Sequence, residues 1–145
     1  MIKVIVFGKI KEKYLSDLIN DYLNRVKKYQ KVDLIELKDD NNIKVEALSI
    51  KKHLKNQDYK IALDINGEKM DSIGFAKFLN NTFSVASTIT FIIGGSNGID
   101  EDIKKICDYR LSFSDFTLPH GLFRGVLLEQ IYRAIKINNN ETYHK

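Results

Sequence analysis

Cysteine, proline and tryptophan are nearly missing from this chain, which holds one Cys, one Pro and no Trp in 145 residues. A lone Cys107 excludes a disulfide framework and a cysteine-based zinc site, and its apolar place in the helical pattern "DIKKIC" reads as a plain buried thiol. The three histidines, at 53, 120 and 144, have no ligand spacing, so no metal is expected. His53, on a polar helix face with Ser49, reads as a surface residue. Long apolar runs are absent too. "MIKVIVFGKI" is interrupted by Lys3 and Lys9 and reads as a strand, neither signal peptide nor membrane span, and we expect a cytoplasmic protein without a membrane partner. Neither GxxxxGK nor GxSxG occurs, which removes a Walker loop and a hydrolase elbow. A phospho-acceptor receiver built on Asp64 would need an acidic pair after the first strand, where Gly8-Lys9 stands.

What is present describes one ordinary globular domain, 1–145, with 43% hydrophobic and 29% charged residues. A net charge of +4 leans toward polyanionic partners. Lysines carry that excess, 19 Lys against 4 Arg, and clusters such as "KIKEK" and "KKYQK" read as solvated faces.

Short β-rich runs alternate with helical patterns throughout. "KVIVFG" at 3–8, "VDLIEL" at 32–37, "KIALDI" at 60–65, "TITFII" at 88–93 and "YRLSF" at 109–113 predict five strands. Amphipathic spacing predicts helices through Leu15 to Val26, through Ala47, Ile50 and Leu54, through Phe75 to Leu79, from an Asp100 N-cap to Cys107, and over 121–136. This order predicts an α/β fold: a mostly parallel sheet of five to six strands with helices on both faces. The third and fourth strands, being continuous apolar runs, belong in its centre.

Ligands of such sheets collect beyond the carboxyl ends of the strands. Three loops are expected there: "LDINGEKM" after the third strand, "GGSNG" at 94–98 after the fourth and "SDFTLPHG" at 114–121 after the fifth. The glycine loop is not GxGxxG and follows the wrong strand for a dinucleotide fingerprint. Just beyond, Arg124 breaks the helical pattern, since Leu127, Leu128 and Ile131 share its face. A guanidinium there must meet an anion, pair with a carboxylate or reach water at the helix start.

Taken together, "LDINGEKM", "IIGGSNG", "LSFSDFTLPHGLFRGVLLEQIYRAIKI" and the terminal "YHK" resemble the small SPOUT-class methyltransferases that modify N3 of a pseudouridine in bacterial 23S ribosomal RNA. The resemblance spans essentially the whole chain and departs from the family pattern at Gly121 and Gly125, where bulkier residues are frequent. It implies a SPOUT-type fold with a C-terminal trefoil knot, a homodimer, and methylation of large-subunit rRNA on the assembled ribosome. It also implies S-adenosyl-L-methionine as cofactor, held by Leu63, Gly95, Ser114, Asp115, Phe116, Thr117, Leu118 and Pro119. On this reading His120 and Arg124 face the same pocket. Arg124 would hold an RNA phosphate or the imide anion, and His120 is either a proton acceptor or a structural helix-start residue. Glu129 and Arg133, at i and i+4, read as a structural pair. Tyr143 and His144 belong either to a frayed end or, as the resemblance implies, to the partner's site. The competing readings are a non-catalytic RNA- or ribosome-binding module of the same fold and a nucleotide-binding oxidoreductase.

Overall fold

The computed structural model describes all residues, 1–145. Five parallel strands form one sheet: β1 (Ile2–Phe7), β2 (Val32–Leu37), β3 (Tyr59–Lys69), β4 (Ile89–Ile93) and β5 (Tyr109–Ser112), in the spatial order β2-β1-β4-β3-β5. Five helices alternate with them: α1 (Lys13–Lys27), α2 (Ile43–Lys51), α3 (Ser72–Phe83), α4 (Glu101–Ile106) and α5 (His120–Asn138). There is no sixth strand.

Strand alternation sorts the helices into two layers. In β1, Ile2, Val4 and Val6 join the core shared with Ile19 and Val26 of α1, Phe75 and Leu79 of α3, and Leu127, Leu128 and Ile131 of α5. Ile5 and Phe7 point the other way, to Ala47 and Ile50 of α2 and Ile103 of α4. β3 and β4 are internal strands, as their apolar runs require, and so is β1, whose Lys3 is buried against Asp58 at 2.6 Å.

Caps set the helix ends. Asn42, Asp71 and Asp100 accept backbone N–H bonds at the starts of α2, α3 and α4. α2 stops at Lys51, short of Leu54. Cys107 is the C-cap of α4, and its half-buried thiol is pushed up to about 11 by burial and by Asp108. α5 ends in a Schellman turn: Asn140, at φ 56°, lets Glu141 N donate to Lys136 O at 2.9 Å and Asn140 N to Ile137 O at 3.1 Å.

The third strand corrects the sequence reading. "NGEKM" was expected in a loop, but β3 continues to Lys69 through an irregularity between Leu63 and Glu68, after which Glu68 pairs with Leu111 and Lys69 with Ser112. Gly67 permits this, because a Cβ there would lie 2.6 Å from the Arg110 carbonyl.

Candidate active site

Parallel pairing brings Leu63 beside Ile93 and Leu111, which aligns the carboxyl ends of β3, β4 and β5. A cavity of about 370 Å³ opens there. Its floor is Leu63, Ile93, Ile99 and Leu111, and its rim is Ser114, Phe116, Thr117, Leu118, His120 and Phe123.

Local geometry shapes two walls. In the glycine loop, Gly98 N donates to Gly95 O at 3.0 Å and Gly98 takes φ 75°. Gly94 cannot carry a side chain, since a Cβ would sit 2.5 Å from the Gly98 carbonyl carbon. In the loop after β5, Ser114 Oγ accepts from Phe116 N at 2.9 Å and Ser114 O accepts from Ser112 Oγ at 3.2 Å, a turn that presents Phe116 outward, 83% exposed. Pro119 then sits at the N-cap of α5 with ψ 139° and no side-chain cap, which leaves His120 at the first helical position on the cavity rim.

The cavity has three titratable side chains: His120, Asp64 and Lys104. Asp64 Oδ2 lies 3.3 Å from Lys104 Nζ. Asp64 Oδ1 accepts from Asn66 N at 3.1 Å.

A family model described as "Predicted SPOUT methyltransferase" matches residues 1–144. The chain belongs to that family. A Methanococcus maripaludis protein that provisionally bears the name ribosomal RNA large subunit methyltransferase H is 46% identical over 99% of both chains. Ribosomal RNA large subunit methyltransferase H 1 of Clostridium perfringens is 43% identical and that of Fusobacterium nucleatum 41%, each again over 99% of both chains.

The residues expected to form a SPOUT site are only partly brought together. Leu63, Ser114, Phe116, Thr117, Leu118 and His120 line the cavity. Asp115 turns out of it to Lys69, and Pro119 shapes the loop from the helix cap. Gly95 points its Cβ direction away, toward Phe7, Asp39 and Glu46 at 3.3 to 3.4 Å, so only its backbone is available to the loop.

Arg124 does not face the cavity, contrary to the sequence reading. It is 2% exposed. One Nη donates to Glu36 at 2.7 Å, and the other to the carbonyls of Phe7 and Gly8 at 3.1 and 3.2 Å. Burial pulls its pKa down, while Glu36 and Asp39 oppose that. Of the three fates open to this guanidinium, pairing with a carboxylate is the one observed, so its geometry is that of a clamp between α5 and the ends of β1 and β2.

Tyr143 and His144 lie on α5 of their own chain. Tyr143 OH donates to Glu129 at 3.0 Å and meets Tyr22 OH at 3.1 Å, and Arg133 contacts Glu129 and, at 3.1 Å, His144 Nδ1. Burial, Tyr22 and Glu129 all raise the Tyr143 pKa. The tail is therefore ordered, and Glu129 and Arg133 are a pair as their spacing implied.

Lys104, Phe113 and Phe123, outside the three expected loops, also line the cavity, and Asp64 and Gly94 line it from within two of those loops. For Asp64 the usable signal is a carboxylate one residue past Leu63 at a strand end.

Proposed function

We propose that this SPOUT methyltransferase transfers the methyl group of S-adenosylmethionine to N3 of a pseudouridine in large-subunit ribosomal RNA, as a homodimer acting on the assembled ribosome. The carrying observation is the cavity at the carboxyl ends of β3, β4 and β5, walled by the loop that ends in "TLPH". Its size falls at the lower end of small-molecule sites, and its apolar floor with a few polar rim groups suits an adenosine. The relatives' names give the substrate class.

When bound, the cofactor supplies an electrophilic sulfonium methyl. Leu63, Leu118 and the backbone of 114–118 would hold the adenosine, with the Gly94–Gly98 turn admitting backbone close to it. Positioning is the main device, because methyl transfer needs the nucleophilic nitrogen in line with the methyl carbon. His120, on the cavity rim, would take the N3 proton. Phe116 offers an exposed ring at the mouth on which a base can stack. In the homodimer, Tyr143 and His144 serve the neighbouring site, and their anchorage on Glu129 and Arg133 gives them one fixed presentation.

Incubation of ribosomes with the protein and methyl-labelled cofactor, followed by mapping of the label, tests this reading. Label at N3 of one pseudouridine in the large subunit is expected, with His120→Ala slower by about 100-fold. Cofactor binding without any transfer would instead identify a non-catalytic ribosome-binding module.

A further inference from the structure

The cavity wall contains an ion pair that a neutral adenosine cannot match as a whole. Asp64 and Lys104 are mostly buried, with side chains 8% and 16% exposed, among Leu63, Ile93, Ile99 and Leu111. Burying two charges costs several kcal/mol per ion, and apolar residues at such positions commonly stabilise a fold as well or better. The pair is also loosely made. Its 3.3 Å separation exceeds the roughly 2.7–2.9 Å of a charge-assisted hydrogen bond, and the other carboxylate near Lys104, Glu101, is 3.4 Å away. Both groups keep unspent hydrogen-bonding capacity facing the cavity.

We propose that Asp64 and Lys104 form the subsite for the zwitterionic amino-acid end of the cofactor, Asp64 accepting from the α-ammonium and Lys104 donating to the α-carboxylate. The proposal rests on the reading that this cavity takes S-adenosylmethionine. Adenine is neutral and needs no charged partner. A ribose diol would use the carboxylate and leave the ammonium of Lys104 unmatched. Only an α-amino acid presents both signs on one carbon, matching a cation and an anion 3.3 Å apart on the wall. Lys104 is moreover the one lysine or arginine lining the cavity, so the ligand carboxylate has no other full positive charge to meet. On binding, the internal pair is exchanged for two external ones and the net charge of the wall is unchanged.

Calorimetry with two adenosine probes tests this without turnover: S-adenosylhomocysteine, which keeps the amino-acid end, and methylthioadenosine, which lacks it. Wild type is expected to bind both, the former more tightly. Asp64→Asn and Lys104→Met should each weaken S-adenosylhomocysteine by about tenfold or more, the loss of one charge-assisted bond, and leave methylthioadenosine within about twofold. Lys104→Arg should restore most of the lost affinity, which a merely structural lysine would not predict for one probe alone. Equal weakening of both probes, or no change in either, overturns the subsite. Failure of wild type to bind either probe overturns the cofactor reading itself, and the two failures are thereby distinguished. A variant that melts early is replaced by Lys104→Gln, read by the same ratio of the two affinities.

Discussion

Arg124, buried, and Lys104, mostly buried, are both cations at the carboxyl edge of the sheet, and they differ in what surrounds them. Arg124, over β1 and β2, spends both Nη groups on its own chain, on Glu36 and the carbonyls of Phe7 and Gly8, and only its buried Nε has no partner. Lys104, over β3 and β4, faces a cavity and holds Asp64 at 3.3 Å. The guanidinium is a clamp and the ammonium is part of a cavity wall. What separates the two is that the Lys104 pair is long and opens on a cavity, whereas the Arg124 pair is short, at 2.7 Å, and does not. At the amino edge Lys3 also borders a cavity, but its pair with Asp58 is short, at 2.6 Å, and it donates to His53 O at 2.7 Å.

The clamp should break most expensively. Arg124→Met leaves Glu36 without its partner and two carbonyls without donors, and should cost about 3 kcal/mol of stability by urea unfolding, at the low end for a buried pair because Glu36 is half exposed. Cofactor affinity per folded molecule should persist. A variant of unchanged stability that binds cofactor but does not methylate would return Arg124 to the role of anion holder.

The open side should respond through its loop. Gly94→Ala drives a Cβ into the Gly98 backbone and should cost about 2 kcal/mol and weaken cofactor binding by at least tenfold. Gly98→Ala has open space and meets only the strain of φ 75°, so about 1 kcal/mol is expected. Equal effects of the two in calorimetry and melting would show that the turn is not what shapes the wall.

The amino-edge pair should appear as acid sensitivity. Burial raises the Asp58 carboxyl, but Lys3, the Lys55 N–H and Lys60 together bring it below its ordinary value. A carboxyl depressed in the folded state contributes stability that is complete above its unfolded pKa near 4 and is lost as pH falls through the folded value. Asp58→Asn should therefore flatten the fall in stability below about pH 4, measured by urea unfolding across pH.

The smallest change is expected from the tail. A chain ending at Thr142 keeps the Schellman turn and the Glu141 pair, loses the Tyr143 bond to Glu129 and should be destabilised by about 1 kcal/mol while keeping its fold by circular dichroism. A loss several times larger would make the tail part of the core rather than an appendage.

The alternation of strands and helices, the layering and the central place of β3 and β4 followed from sequence because period-two runs, apolar runs and helical arcs are local properties. The extension of β3 was hidden for a physical reason: "NGEKM" has turn composition, and only contact with Arg110, across the sheet, lets Gly67 carry the strand onward. Gly121 and Gly125, departures from the family pattern, are likewise explained only by packing. Added Cβ atoms would press Leu15 at 3.1 Å and Leu18 at 2.8 Å, so α1 lies close on α5. Periodicity showed that Arg124 was misplaced on its helix, but not that Glu36, 88 residues away, would answer it. Asn-rich composition concealed an ordered tail because a Schellman turn needs only one residue tolerant of positive φ.

Calorimetric titration of S-adenosylmethionine into wild type and Arg124→Met, side by side, tests the division between closed clamp and open site most directly. One saturable site per chain is expected in both, with affinities within about threefold, since the clamp does not touch the cavity. No binding by wild type at millimolar cofactor, or binding abolished in a folded Arg124→Met protein, would contradict it.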